Sequence, residues 1–288
     1  MKNQNFKKGI TLTALGSFWW GGIGVIYFKY ISFAGSIEVV IHRCVWTSIF
    51  LILSTYYFSK WDIFIDIIRD KKKITWLFFS SLLIFINWST WIYALETNRI
   101  IDASFGYFIM PILSVFLGYI FYKEKINKKR GISIFLVLVS ILFLFIVSFD
   151  TIPWVGIIVA FSWAFYNLLR KKVNVDTDVG LLIESLFILP FALLAFYIIF
   201  QNNLNDFNLN NPSIMLLLMM AGPMTVIPLF LYVRGVELCG LGPTGMIFYI
   251  TPTLQFLLGF FYYNEAFSFE KSLSFILIWI AVIIYLKD

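Results

Sequence analysis

Charge is scarce in this 288-residue chain: only 13% of residues are Asp, Glu, Lys or Arg, against 60% hydrophobic ones. A water-soluble domain carries about a quarter charged residues. Here there is too little charge to coat a water-facing surface, and mean hydropathy is +0.87. Histidine is nearly absent, with His42 alone, so no site that needs two imidazoles can form. The two cysteines, Cys44 and Cys239, lie in apolar runs and form neither a disulfide framework nor a metal-ligand spacing. No Gly-rich loop ending in Lys-Ser/Thr occurs, which removes the usual nucleotide cradle. No cofactor is therefore expected. The net charge of +6 comes without a basic groove or RNA-binding motif, so no nucleic-acid partner is expected either.

What the chain does have is length of apolar sequence. A helix crosses the hydrocarbon layer with about 20 such residues. Ten runs qualify: 10–30, 36–58, 74–95, 103–122, 131–149, 153–169, 180–200, 212–233, 243–263 and 273–286. The first follows Lys2, Lys7 and Lys8 and has no small-x-small cleavage site at a suitable distance, so it reads as an uncleaved first helix. The connections are short; the longest are 59–73 and the Asn-rich 201–211. With the N-terminus in the cytoplasm, 18 of the 22 Lys and Arg fall on the inner side and only Lys29, Arg99 and Lys271 outside, with Arg43 inside the second run. The positive-inside rule thus predicts both termini inside and an even number of crossings. The Arg69–Lys73 and Lys123–Arg130 clusters then face anionic lipid head groups.

The chain also repeats itself. Gly106-Tyr-Phe-Ile-Met-Pro111, Gly118 and Glu124 recur at an offset of 141 as Ile247-Phe-Tyr-Ile-Thr-Pro252, Gly259 and Glu265. Gly9…Phe18 resembles Gly156…Phe165, and Glu38 resembles Glu184, at offsets near 147. Five helices per copy is odd, so the second copy enters the membrane inverted. The predicted architecture is an all-α membrane protein of ten helices, with residues 1–149 and 150–288 as inverted five-helix repeats. Inverted repeats suit alternating access around a central site. That favours a transporter over a receptor or scaffold, and the lone histidine argues against an intramembrane metalloenzyme.

Residues along the whole chain carry a family likeness. They include Trp20-Gly21, Glu38-x-x-x-His42-Arg43, Asn87-Trp88, Arg99-x-x-Asp102-Ala103-Ser104-x-Gly106, Tyr166-x-Leu168-Leu169-Arg170-Lys171-Lys172, Leu182-x-Glu184, Gly222-Pro223-x-Thr225-x-x-Pro228 and Tyr249-Ile250-x-Pro252-Thr253-Leu254-Gln255. In these the chain resembles the EamA family of the drug/metabolite transporter superfamily, in its RarD-like branch. The resemblance implies a ten-helix inner-membrane permease for a small metabolite or drug-like solute. The chain departs from the branch at Met110 and Glu96, where an Asn is expected.

Ionisable residues inside membrane helices mark pathways by default. Glu38 and His42 share a helix face four residues apart, about 6 Å along the axis. With Arg43 they could form a proton-responsive pair beside an anion fork, or a structural ion pair. Asn87 could bind solute or join neighbouring helices; Trp88 alone of Trp88, Trp91 and Tyr93 is expected to reach a cavity. Glu184 is a candidate for proton coupling or a packing ion pair. Tyr107, Pro111, Tyr249 and Pro252 are expected at matched positions, each proline freeing a carbonyl one turn earlier. The expected cargo is a small neutral or zwitterionic organic solute, moved with protons, with facilitated exchange and a non-transporting receptor as alternatives. The expected surroundings are the lipid bilayer of the inner membrane.

Overall fold

The computed structural model describes residues 2–97, 99–148, 153–261 and 269–287. Among these there are helices and turns and no strand. In hydrocarbon every backbone polar group must be satisfied within the chain, and helices do this locally.

The chain enters through α1 (Lys2–Trp19), passes through a π-helical turn at Trp20–Gly24 and continues as α2 (Val25–Tyr30). A 3-10 turn at Ile31–Ala34 and Gly35, at φ 74°, lead into α3 (Gly35–Tyr57). A short helix, α4 (Trp61–Arg69), precedes α5 (Lys71–Glu96). The Asp70 carboxylate caps α5 by accepting from the Lys72 and Lys73 amides. Then follow α6 (Ile100–Tyr122), α7 (Lys128–Ser148), α8 (Trp154–Val173) and α9 (Thr177–Gln201). The last part is more broken: α10 (Pro212–Met219), α11 (Ala221–Cys239), α12 (Leu241–Ile247), α13 (Ile250–Phe261) and α14 (Phe269–Leu286).

Among the described residues, six stretches are long and apolar enough to cross a membrane by length and composition: 4–57, 71–94, 105–122, 128–147, 177–201 and 212–239. The first runs for 54 residues, more than twice what one crossing needs. The predicted runs 153–169, 243–263 and 273–286 are not among them: α8 carries Ser162, Asn167 and the Arg170–Lys172 cations, 243–263 is broken between α12 and α13, and the last described apolar stretch, Ser272–Leu286, is shorter. The connection 59–73 is not a plain loop. Its α4 sets Asp62, Asp66 and Arg69 on one face and turns Phe64 and Ile67 onto the cluster formed with Leu77 and Ile183. The repeat residues Tyr263, Asn264 and Glu265 lie outside the described residues.

Packing joins elements distant in sequence. α1 lies along α11, α3 against α9 and α11, α5 against α8, α6 against α8 and α12, and α7 against α14. Small residues allow these approaches. Gly106 of α6 meets the Gly156 backbone of α8, and Gly16 of α1 faces the Pro228 carbonyl of α11. A Cβ on Gly245 would lie 3.0 Å from the Pro111 carbonyl oxygen and 2.8 Å from Ser114 Cβ. The outer face of α7 leaves Ile132, Phe135, Leu142 and Ile146 exposed. In water such a stripe would be unstable; against lipid tails it is in its own solvent.

Candidate functional site

The glycines of Trp20-Gly-Gly-Ile-Gly24 let the first helix open into a π turn, a feature that recurs at functional sites. Gly21 also lets α13 approach, since a Cβ there would sit 2.7 Å from the Thr251 carbonyl oxygen. The turn delivers Trp20 and Gly24 to the wall of a half-open cavity of about 40 Å³. Phe28, Arg43, Asn87, Trp88, Trp91 and Tyr107 line it from the first part of the chain, and Trp163, Phe248, Thr251 and Gln255 from the second. Behind one wall, aromatic rings interlock. Trp20 stands edge-on to Trp163 at 5.0 Å, and Tyr232 packs on Trp163 at 5.4 Å and on Phe248 at 5.3 Å.

Arg43 is the one charged lining residue among the described residues. Its Nε donates to Thr225 Oγ1 at 3.2 Å. Its guanidinium carbon lies 4.5 Å from the Phe28 ring centre and 4.8 Å from that of Trp88, a cation–π cage that partly replaces hydration. Asn87 lines the cavity and is also tied to α8, donating from Nδ2 to the Val159 carbonyl at 3.0 Å and to Ser162 Oγ at 3.1 Å. Trp88 reaches the cavity as expected, and so does Trp91, which corrects the expectation that Trp88 alone would. Residues three apart share a helix face, so both rings turn the same way. Tyr93 instead points out and packs on Trp154.

The other candidates lie elsewhere. Glu38 accepts from the Asp206 amide at 2.8 Å and the Phe207 amide at 3.0 Å, anchoring the connection before α10 to the start of α3. His42 donates from Nε2 toward Glu38 at 3.3 Å and accepts at Nδ1 from Trp46 Nε1 at 3.1 Å. That arrangement fixes the tautomer with the proton on Nε2. Neither Glu38 nor His42 lines the cavity.

Glu184 is buried in a separate cluster. Ser80 donates to it through a short hydrogen bond, Tyr166 donates at 3.1 Å, and Arg170 Nη1 lies 3.6 Å away. Arg170, counted from the sequence with the loop cations, is 1% exposed. It fits because residue 180 is glycine; any Cβ there would strike the guanidinium.

Tyr107 and Tyr249 are not a matched pair. At the constant offset of 141, Tyr107 answers to Phe248 and Phe108 to Tyr249, and the structure brings these partners together. Tyr107 and Phe248 rings lie 5.6 Å apart, and the Tyr249 hydroxyl donates to the Phe108 carbonyl at 2.9 Å. Tyr249 is thus buried away from the cavity. Pro111 sits in an unbroken α6, whereas Pro252 follows the break between α12 and α13. Neither proline lines the cavity, though Thr251 does. Sequence reasoning passed over Gln255, whose Oε1 is buried with no hydrogen-bond donor. Its signal was a polar side chain in the apolar run 243–263.

One end of the molecule is tied by polar contacts. Lys60 Nζ reaches Asp178 at 2.7 Å and Asp176 at 3.1 Å, joining the α3–α4 link to the start of α9. Burial disfavours the charge on Lys60, but hydrogen bonds to the two aspartates outweigh it and raise its pKa. For Asp176 burial is likewise outweighed, by hydrogen bonds with Asp178 and Lys60, and the pKa falls. Glu124 takes Lys171 at 2.7 Å and the Leu241 and Gly242 amides at 2.9 Å each. No group of three His, Cys, Asp or Glu placed to hold a metal occurs among the described residues.

The sequence profile of the EamA-like transporter family matches residues 7–146 and again 151–287. A Vibrio cholerae protein named as an uncharacterized transporter is 34% identical over 99% of this chain and 94% of its own. YojE of Bacillus subtilis, also named as an uncharacterized transporter, is 32% identical over 99% of this chain and 95% of its own. Protein RarD of Escherichia coli is 32% identical over all of this chain and 97% of its own. A solved crystal structure of a protein only 14% identical superposes with a TM-score of 0.69 over 96% of each chain, which is a likeness of fold alone.

Proposed function

This chain belongs to the EamA-like transporter family, on its RarD-like side, and from that premise we propose that it is an inner-membrane secondary transporter working by alternating access. It is a multi-pass membrane transporter rather than an enzyme. The finer reading is ten crossings with both termini in the cytoplasm, built from two inverted halves, 1–149 and 150–288. The packing supports it. Exchanging each helix for its counterpart turns the α1–α11 contact into α8–α5, while α3–α9, α7–α14 and α6–α12 map onto themselves. The tandem family match and the charge asymmetry point the same way.

The observation that carries the function is the aromatic cavity, walled by both halves. Its aromatic walls and few polar groups suit a small, partly apolar organic solute of little net charge. Proton coupling through Glu184 is the reading in which that buried carboxylate exchanges Arg170 for a proton during the cycle. The second reading, facilitated exchange without protons, is favoured by a specific fact: neither His42 nor Glu184 lines the cavity.

Purified protein in liposomes tests these. Labelled solutes accumulating only under an imposed pH gradient would support coupling. Counterflow indifferent to the gradient would support exchange. No flux of any solute in a broad pool of organic acids, amino acids and amphenicol-like compounds would sink the transport reading.

A further inference from the structure

Among the described residues, the cavity contains one full charge and no counter-charge. Arg43 is 4% exposed, and only its Nε has a hydrogen-bond partner, Thr225. Among the described residues, the two terminal nitrogens of the fork make no ion pair and no Asp or Glu lines the cavity. The nearest acid along α3 in sequence, Glu38, is already saturated by His42 and the Asp206 and Phe207 amides. Glu184 is held by Arg170, Tyr166 and Ser80. Elsewhere on the wall, Gln255 Oε1 is buried and lacks a donor. A guanidinium shut away from water without an anion is costly, and the aromatic cage offsets only part of that cost.

We infer that the cavity takes a monocarboxylate with an aromatic or similarly apolar body and no second charge, its carboxylate forked onto the terminal nitrogens of Arg43. A donor on the body meets Gln255 Oε1. The inference rests on the cavity being the site of the transported solute. Its basis is charge balance. A monoanion neutralises the guanidinium, and planar bidentate pairing is what an Arg fork provides over other cations. A neutral solute leaves the charge unmatched. A zwitterion adds an ammonium for which no lining carboxylate exists. The inferred cargo, with a single negative charge, thus departs from the neutral or zwitterionic solute expected from the sequence.

The test is equilibrium binding to detergent-solubilised full-length protein at neutral pH, read from the fluorescence of Trp20, Trp88, Trp91 and Trp163, which all face the cavity. The probes are phenylacetate, indole-3-acetate, phenylacetamide and phenylalanine. The acids should bind at least about tenfold more tightly than the isosteric amide and the zwitterion. Arg43→Gln should remove that preference while leaving amide affinity within about twofold, which also shows that the variant is folded. Arg43→Lys should restore part of it. Equal affinity for acid and amide, an acid preference that survives Arg43→Gln, or no binding of either acid overturns the inference. Binding is read without flux, so amide-selective binding beside gradient-driven uptake would sink the carboxylate alone. Acid-selective binding without uptake of the acid would count against transport and leave the site standing.

Discussion

Glu38 and Glu184 look alike in the sequence, each an acid near the start of an apolar run, but their neighbours give them different work. Glu38 accepts backbone amides from a distant connection and needs no cation to remain buried. Glu184 depends on Arg170, and Arg170 on Glu184, because both are almost wholly enclosed. Removing one partner of a buried pair leaves an uncompensated charge and costs about 3–5 kcal/mol, whereas removing both is far milder. Glu184→Gln should therefore lower the melting temperature clearly, and Glu184→Gln with Arg170→Met should recover most of the loss. A Glu184→Gln protein that melts like the wild type but transports without pH dependence would instead mark Glu184 as a coupling group.

At the scale of elements, the polar ties gather where helices end. Lys60 holds the start of α9 through Asp176 and Asp178, and Glu124 holds α8 and the start of α12. The pH window of the Lys60 tie follows from the directions of shift. Asp176 titrates below its ordinary 3.8, so its contribution is complete above that value and is lost as pH falls through the lowered pKa. Lys60 titrates above 10.5, so its contribution is complete below that value and is lost as pH rises through the raised one. Asp178, the nearer partner, titrates above 3.8 because burial and its hydrogen bond with Asp176 outweigh Lys60, so the tie already responds to protons on the acid side above that value. Lys60→Met should reduce stability by about 1 kcal/mol, the scale of partly exposed ion pairs. The difference in melting temperature from wild type should stay constant between pH 7 and 9 and shrink as the medium turns acid and Asp178, then Asp176, takes up a proton. A difference that changes through neutrality would contradict this assignment.

Across the whole molecule the two halves are interleaved, α1, α3, α5, α6 and α7 of one lying against helices of the other. Neither half buries its polar residues alone: Ser80 of α5 needs Glu184 of α9, and Arg43 of α3 needs Thr225 of α11. The proposed orientation is open to a direct check. With Cys239→Ser as background and the buried Cys44 left in place, Asn203→Cys should react with an impermeant thiol reagent from outside the cell. Lys125→Cys should react only after the membrane is opened. The reverse pattern would turn the topology over.

The sequence by itself determined the solvent and the element type. A chain 60% hydrophobic and 13% charged has one environment in which it is stable, and in that environment apolar runs become helices. It also determined which polar residues are unusual, because Glu38, Arg43, Asn87 and Glu184 stand out against their runs. Only the tertiary structure decided their roles. Helical periodicity places a side chain on a face but does not say which distant helix meets that face. So Arg43 and Gln255 reach the cavity, while His42 and Tyr249 find partners outside it. Arg170, a loop cation by sequence position, becomes a buried partner because Gly180 leaves room for it. Contacts far apart in sequence, Arg43 with Thr225 and Tyr249 with Phe108, set part of these outcomes through packing that no local pattern encodes.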